Sequence, residues 1–281
     1  MPSADAPSTA PGARDIWAIH VTARRALEVV VGGFGRRGIE VLAVKGVVTA
    51  HLLYADPAER LMGDVDVRIR PEDVRRAARV AADEGWQIAQ WKPAYGAFVL
   101  FVEGLGVSVD VESVIGAPGL CGLSIAEMLS RSTRGIAGMD VRVPEIHDHA
   151  VLLAVNVFKD KLTRASPHAR EDVRRIAEAK GFDVDRFVAR AQEAKIAGIA
   201  WIVADWMVRE NRSDAWGRIR AELGGESGPR PAYARAFRWL GEKAPAALTT
   251  RVLARVGADD PRMWLGAVLR AARLEWELRR K

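Results

Sequence analysis

The chain has a single cysteine, Cys121, in 281 residues, so it cannot form an intramolecular disulfide. No run approaches the roughly 20 apolar residues that cross a bilayer. Residues 1–13 are rich in Ala, Pro and Ser and lack the apolar segment of a signal peptide. These absences exclude a disulfide-framework protein and a membrane-spanning helix, and they predict a cytoplasmic protein with a disordered N-terminal tail.

Hydrophobic residues make up 49% of the chain, enough to give two small domains a core each. Alternating or continuous apolar residues predict strands at 39–44, 64–69, 86–91, 97–103, 106–113 and near 140–143. Helical spacing predicts helices at 14–37, 47–55, 71–84, 124–131, 145–164, 167–180, 183–194, 196–211, 213–223, 232–242 and 261–280. We therefore expect an α+β fold, with a small mixed sheet that has helices on one face, followed by an all-helical C-terminal domain.

The order of these elements divides the chain into parts. After the tail at 1–13, the predicted sheet domain covers 14–143. A helical domain at 144–223 completes the predicted active-site cleft. Several glycines and prolines open the last part, 224–281, which we expect to be a linker followed by a terminal helical subdomain.

Two carboxylates one residue apart, Asp64 and Asp66, lie in the apolar run that follows Gly63. In a strand they project from one face, while Val65 and Val67 enter a core. Such a pair taken alone is typical of a solvated strand or a turn. A hard cation such as Mg²⁺ would relieve the repulsion between the two carboxylates, so the pair also has the outline of a metal site.

A third acid, Asp110, lies in a segment of strict alternation at 107–112. This pattern places Asp110 and Glu112 on one face of a second strand and three valines on the other. If the two strands are neighbours, Asp64, Asp66 and Asp110 converge. The sequence then predicts a site for Mg²⁺ or Mn²⁺ with three carboxylate ligands.

A phosphate-binding turn is predicted at Lys45 and Gly46, between a buried strand and an apolar helix. Free N–H groups at a helix N-terminus bind phosphate, the glycine allows close approach, and the lysine adds a charge. Lys45 is alternatively an ordinary solvated lysine.

The segments with characteristic residues and spacing are 44–46, 53–57, Arg60, 63–67, 71–73, 84–86 and 109–112, continued by 143–145, 152–161 and 170–173. Together they resemble the uncharacterised nucleotidyltransferase family of the DNA polymerase β superfamily, over about residues 15 to 210. Better-studied members of the superfamily carry Gly-Ser where this chain has Lys45 and Gly46, so the phosphate contact of that serine hydroxyl is missing here.

The resemblance implies transfer of a nucleotide from an NTP, ATP among the candidates, to an acceptor, with release of pyrophosphate. Asp64 and Asp66 would hold the metals, and Asp110 would bind the catalytic metal and help deprotonate the acceptor. Arg60 and Gly63 are implied as further nucleotide-binding residues, beside Lys45 and Gly46.

Two residues of the helical part are further candidates for nucleotide binding. Lys159 shares a helix face with Asn156 and Asp160, and it could meet a triphosphate from above the sheet. The alternative is a solvated amphipathic face. Asp172 could orient Lys159 or Arg170, or it could be an acid near a helix N-terminus without a catalytic part.

Charge is distributed unevenly, with a net of −2 over 1–159 and +8 over 160–281. This asymmetry is compatible with an RNA or DNA acceptor, and equally with solubilising arginines on exposed helices. The acceptor stays open among a small molecule, a protein side chain and the 3′ end of a tRNA. An antitoxin protein would be the partner if the chain is a toxin. Two other functions stay open: an inactive NTP-binding regulatory module and a basic nucleic-acid-binding scaffold.

Overall fold

The computed structural model describes residues 13–92, 95–162, 164–210, 213–224, 229–244, 257–263, 265–266 and 268–269. Its helices are α1 Ala13–Arg36, α2 Gly46–Leu53, α3 Val74–Asp83, α4 Ile125–Arg131, α5 Ile146–Lys159, α6 Pro167–Ile176, α7 Val184–Glu193, α8 Ala197–Arg209, α9 Asp214–Glu222 and α10 Pro229–Lys243. Its strands are β1 Leu42–Val44, β2 Asp64–Arg68, β3 Gln87–Lys92, β4 Ala97–Phe101, β5 Ser108–Glu112, β6 Thr133–Ile136 and β7 Met139–Val143. The expected tail lies outside the described residues up to residue 12, as do 225–228 of the linker and most of the expected helix at 261–280.

The seven strands form one mixed sheet in the order β3-β4-β5-β2-β1-β7-β6. The central strand β2 is parallel to β5 and antiparallel to β1. β1 in turn is parallel to β7. The α+β class expected from the sequence is confirmed, with a helical part after the sheet. The parallel pairing of β2 with β5 is the contact on which the predicted metal site depends.

Helices cover both faces of the sheet. Val65 and Val67 of β2 belong to a core that includes residues of α1 and α3. Leu42 and Val44 of β1 face the other way and belong to a core dominated by α5 and the helices after it. The helices α1 to α3 thus contribute to the core on one face, as expected for the sheet domain, and the helical part covers the other face. The physical reason is that β1 is a continuous apolar segment, and such a strand needs cover on both sides.

The hairpin of β6 and β7 contains a strand that the sequence pattern missed. β6 has the sequence Thr-Arg-Gly-Ile and is largely exposed, so it carries no hydrophobic alternation. Ala137 and Gly138 connect it to β7 with positive φ angles of 50° and 76°, as a two-residue hairpin requires. The short edge strand is therefore determined by its turn and its partner.

The helical part is built around α5, which packs against α6, α7 and α8. Eleven of its fourteen residues are buried, so α5 is apolar around most of its circumference. In its last turn Lys159 is exposed, and it lines a cavity together with residues of the sheet. Among the described residues, no helix combines the length and the apolar character that a bilayer crossing needs.

Candidate active site

The three predicted carboxylates lie on one face of the sheet, where β2 and β5 are paired. Asp64 and Asp66 project from the same side of β2, and Asp110 is directly opposite Asp66 in the parallel ladder. Neighbouring strands are about 4.8 Å apart, so this register brings the Asp66 and Asp110 side chains close together. Asp66 is buried, Asp110 is half-buried and Asp64 is exposed. The group therefore reaches solvent through Asp64.

The turn at Lys45 lies beside this group, at the end of β1. Val44 is opposite Asp66 in the antiparallel ladder, which places the next residue, Lys45, next to the carboxylates. The Lys45 Nζ atom is 2.5 Å from Asp66 Oδ1, and the lysine side chain is only 16% exposed. Lys45 has a φ of 52°, in the left-handed region that is uncommon for lysine. It is not a solvated surface lysine.

The N-terminus of α2 is at Gly46, which is buried. No side chain of the described residues caps α2 at this end, so its first amide N–H groups have no partner within the helix. A Cβ on Gly46 would be 3.3 Å from Arg60 Nη1, so the glycine lets the guanidinium approach the turn. Gly63 has no such constraint, because a Cβ there would meet no described atom within 4 Å.

The carboxylates perturb one another's protonation. Burial, together with the nearby Asp66, Asp64 and Glu112, raises the pKa of Asp110 to about 6. Partial desolvation by the surrounding protein and the charge of Asp66 also raise the pKa of Asp64. Asp66 behaves oppositely: burial acts to raise its pKa, but Lys45 and Arg68 outweigh burial and lower it. The ionised forms of Asp64 and Asp110 are thus destabilised in the folded protein.

The donor set fits a hard divalent cation. In the part of the chain that is described, no three His, Cys, Asp or Glu side chains are arranged as a metal site, and the Lys45 ammonium occupies Asp66. The acids nevertheless repel one another across two adjacent strands, and carboxylate oxygens are the ligands that Mg²⁺ and Mn²⁺ prefer. A cation at Asp64 and Asp110 would relieve that repulsion.

A cavity of about 400 Å³ lies between this face of the sheet and α5. Asp110 and Lys45 border it at the carboxylate group, whereas Asp64 and Asp66 do not line it. The end of α5 borders the cavity on the other side, through Asn156, Lys159 and Lys161. The first two lie on one helix face, as their spacing predicted. The remaining lining residues are Arg68, Lys92, Tyr95, Ala97, Phe98, Val99, Glu112, Ile115, Gly116, Ala117, Leu120 and Leu152.

Arg68 is a cavity residue that the sequence interpretation overlooked. It lies four residues after Asp64 in the same strand, so strand periodicity places it on the carboxylate face. Its side chain is 2% exposed, and its Nη2 atom is 2.5 Å from Glu112 Oε2. Its Nε atom is buried without a hydrogen-bond partner among the described residues. The position i+4 from Asp64 was the signal that could have identified it.

Arg60 and Asp172, both predicted as nucleotide contacts, form a buried ion pair with each other. The Arg60 Nη2 atom is 2.7 Å from Asp172 Oδ2, and the Tyr54 hydroxyl donates to Asp172 Oδ1 at 2.9 Å. Asp172 therefore orients Arg60, and not Lys159 or Arg170, because Arg60 and Tyr54 occupy both of its oxygens. Neither partner of the pair lines the cavity.

His149, in the first turn of α5, is buried with both ring nitrogens unpartnered among the described residues. Burial lowers its pKa to about 3, with a further contribution from Arg60, so the folded protein holds the ring neutral. In the unfolded chain a histidine has a pKa near about 6.5. Between these two pKa values the unfolded state therefore binds a proton at His149 that the folded state does not bind.

We expect acid to destabilise the protein through His149. Below pH 6.5 the free energy of unfolding should fall by about 1.4 kcal/mol for each pH unit from this group alone. Urea unfolding of the wild type and of His149→Phe at pH 7.5, 5.5 and 4.5 measures the difference. The gap between the two proteins should change with pH by this slope, whereas a pH-independent gap would show that the ring is accessible to protons. His168→Phe, at a half-buried position, should give a smaller slope.

A family model and several solved structures are similar to this chain. Residues 17–209 match the family described as uncharacterised nucleotidyltransferase. Among solved structures, the antibiotic-resistance factor ANT(2'')-Ia in solution is 16% identical, with a TM-score of 0.46, covering 62% of this chain and 92% of that one. A tRNA-processing enzyme in an apo form is 12% identical, with a TM-score of 0.31, covering 90% of this chain and 74% of that one. A comparison with curated protein sequences found no match.

The family match covers more than two thirds of the chain and includes every predicted site residue, from Lys45 to Asp172. It includes β2 and β5 with their three acids, the Lys45 turn, and α5 with Lys159. The chain belongs to the uncharacterised nucleotidyltransferase family, and it is an enzyme of the nucleotidyltransferase class.

Proposed function

We propose that this enzyme transfers a nucleoside monophosphate from an NTP to an acceptor oxygen, with divalent metal held by Asp64, Asp66 and Asp110. The observation that supports this best is that Asp66 and Asp110 are paired in the β2–β5 ladder. Lys45 lies beside them, at the uncapped N-terminus of α2. The carboxylates suit cations, and the helix N-terminus suits phosphates. An NTP·Mg²⁺ substrate needs both.

In this proposal the triphosphate lies against the first amide groups of α2. Lys45 moves from Asp66 to the phosphates when a cation replaces its ammonium at the carboxylate. Asn156 and Lys159 approach from α5, on the opposite wall of the cavity. Arg60 supports the turn from behind through its contact with Gly46, and the Asp172 carboxylate holds it there.

The chemical step forms one bond and breaks one. The acceptor oxygen attacks the α-phosphorus, and the bond from this phosphorus to the oxygen that bridges to the β-phosphorus breaks. The electron pair of that bond leaves with pyrophosphate. Asp110 takes the proton of an acceptor hydroxyl, a role that suits a carboxylate whose pKa is raised to about 6.

Mg²⁺ or Mn²⁺ at the three carboxylates would neutralise charge on the attacking and leaving oxygens. The remaining contributions are those of the chain itself: α2 and Lys45 position the phosphates, and the cavity excludes water from the acceptor side. None of these contacts recognises the acceptor, so they leave its identity open.

The test is pyrophosphate release with each of the four NTPs, in the presence of Mg²⁺ or Mn²⁺, with and without a cell extract as acceptor source. Release that depends on the extract supports the proposal. Saturable NTP binding without any release would indicate an inactive regulatory module. Nucleic-acid binding that weakens steeply with salt and is unchanged in Asp64→Ala would indicate a scaffold.

Metal removal provides a second test. We expect EDTA to lower NTP turnover at least about 100-fold, because the cation supplies several kcal/mol of charge stabilisation in such reactions. Excess Mg²⁺ or Mn²⁺ should restore turnover, and Ca²⁺ should restore it poorly. Circular dichroism with and without EDTA is the control, since the fold forms around apolar cores and should not change. Full turnover in EDTA would disprove metal dependence.

A further inference from the structure

The order of residues along β2 gives the site a direction. The backbone oxygen of Asp64 would be 3.7 Å from a Cβ on Gly46, so the start of β2 lies at the helix N-terminus where the phosphates bind. Each residue advances a strand by about 3.3 Å, so Arg68 is about 13 Å further along than Asp64. Arg68 is paired in register with Glu112, two residues beyond the Asp66 and Asp110 pair. The far end of the cavity is therefore on the opposite side of the carboxylates from α2.

This direction separates the substrates, provided that the proposed transfer is correct. In an in-line displacement the attacking and leaving oxygens lie on opposite sides of the α-phosphorus. The leaving pyrophosphate is held at α2, so the acceptor must enter from the end of Arg68 and Glu112. The bond from the α-phosphorus to the nucleoside oxygen is kept and lies at right angles to that line. The nucleoside therefore does not compete with the acceptor for this end of the cavity.

The charged lining of the whole cavity is mostly cationic, and Arg68 is the cation at the acceptor end. Among the described lining residues, five are cationic, namely Lys45, Arg68, Lys92, Lys159 and Lys161, whereas two are carboxylates, namely Asp110 and Glu112. Glu112 binds one edge of the Arg68 guanidinium, and the Val67 carbonyl accepts from Nη1 at 3.1 Å. The buried Nε–H of Arg68 is left unsatisfied, and a buried donor without a partner is costly. An anionic oxygen would satisfy it.

The rest of this end is apolar. Three side chains that form walls of the cavity are at most 3% exposed, namely Ile115, Leu120 and Leu152, and Ala117 also lines it. Apolar walls with a few convergent polar groups are typical of pockets for small molecules. At about 400 Å³ the cavity is at the lower end of such pockets, which typically hold roughly 300 to 1,000 Å³.

We infer that the acceptor is a small molecule with an anionic group, a carboxylate or a phosphate, which binds Arg68, and with an apolar body that packs on Ile115, Leu120 and Leu152. The hydroxyl that attacks points from this end of the cavity toward Asp110. A polycationic acceptor is excluded by the lysines around the cavity. This inference rests on the proposed transfer and adds the class of acceptor.

The first experiment sorts acceptors by charge. A bacterial small-molecule extract is separated on anion and cation exchangers, and each fraction is incubated with the enzyme, Mg²⁺ and α-³²P-labelled NTPs. Labelled product should arise from the fraction that the anion exchanger retains. Treating this fraction with phosphatase beforehand abolishes labelling if the group is a phosphate, and methyl esterification abolishes it if the group is a carboxylate. Labelling of only the cationic fraction, or only of added tRNA, would overturn the inference.

The second experiment assigns Arg68. We expect Arg68→Met to lower kcat/KM for the acceptor by about 10- to 100-fold, the effect of losing one buried charged hydrogen bond. The KM for the NTP in the acceptor-free release of pyrophosphate should stay as in the wild type, because Arg68 lies about 13 Å along β2 from the α2 end where the phosphates bind. Arg68→Lys should recover part of the acceptor effect. Arg70→Met is the matched control, because Arg70 pairs with Glu40 and does not line the cavity.

The outcomes distinguish the two proposals. If Arg68→Met raises the KM of the NTP in the acceptor-free reaction, Arg68 binds the nucleotide and the acceptor inference fails while the transfer reaction stands. If the wild type releases no pyrophosphate with any NTP and metal, the transfer proposal itself fails. Should Arg68→Met not fold, the double variant Arg68→Met with Glu112→Gln, which leaves no uncompensated carboxylate, is measured in its place.

Discussion

Asp66→Asn and Asp110→Asn will each lower pyrophosphate release by about 1,000-fold or more at saturating NTP and Mg²⁺. Removing one carboxylate from the group takes away a ligand and about one unit of the charge that holds the cation, which corresponds to several kcal/mol of transition-state stabilisation. Asparagine keeps the shape of the side chain, so the β2–β5 ladder should form as in the wild type. Initial rates at several Mg²⁺ concentrations measure the effect.

The same two variants should change stability in opposite directions. Without metal, burial and the neighbouring acids raise the pKa of Asp110 to about 6, so at pH 8 its ionised form opposes folding. Asp110→Asn removes this cost and should stabilise the metal-free protein, by about 1 kcal/mol after allowance for the exposure of the carboxylate. Asp66 has a lowered pKa, because Lys45 and Arg68 outweigh its burial, so its ionised form supports folding. Asp66→Asn should therefore destabilise.

A gain in stability together with a loss of activity is the signature of a residue kept for function. Asp140→Asn is the control, since Asp140 lies on β7 of the same sheet with its side chain 77% exposed. It should leave turnover within about twofold of the wild type. If Asp110→Asn retained turnover, Asp110 would have no catalytic part, and the metal site would have to be built on other ligands.

The site could be predicted from the sequence as far as strand periodicity reaches. Alternation alone places Asp64 and Asp66 on one face of β2, and Asp110 on one face of β5. The same rule applied two residues further would have included Arg68. The pairing of β2 with β5 is a contact between distant segments, and it became an expectation only through the resemblance to a known family.

Contacts between the sheet and the helical part could not be predicted from local sequence patterns. Arg60 and Asp172 are 112 residues apart, and neither position shows its partner in the spacing of its neighbours. Asp172 lies in the middle of α6, beyond the first turn in which an acid interacts with the helix dipole, and its carboxylate binds Arg60 of the other part. Edge strand β6 was missed for a related reason, since its conformation comes from its turn and its partner strand.

Asp172→Ala will lower the free energy of unfolding by about 3 to 5 kcal/mol, the range for breaking a buried ion pair on one side. The variant leaves the Arg60 guanidinium, whose side chain is 11% exposed, without its carboxylate. It also leaves the Tyr54 hydroxyl, which donates to Asp172, without an acceptor. Urea unfolding at pH 7.5 measures the change. Glu178→Ala, two residues after α6, is the control: the Glu178 carboxylate pairs with Arg174 and is 45% exposed, so its loss should cost less than about 1 kcal/mol.

The double variant Arg60→Met with Asp172→Leu separates the cost of an orphaned charge from the value of the pair. Replacing both partners of a buried ion pair by apolar groups is often neutral or stabilising, so this variant should recover most of the stability that Asp172→Ala loses. It should not recover function, because the Arg60 guanidinium is the group that packs behind the Gly46 turn. We therefore expect a stable protein with a raised KM for the NTP. If instead the double variant bound NTP as the wild type does, the pair would join the sheet to α6 and have no part in shaping the phosphate-binding turn.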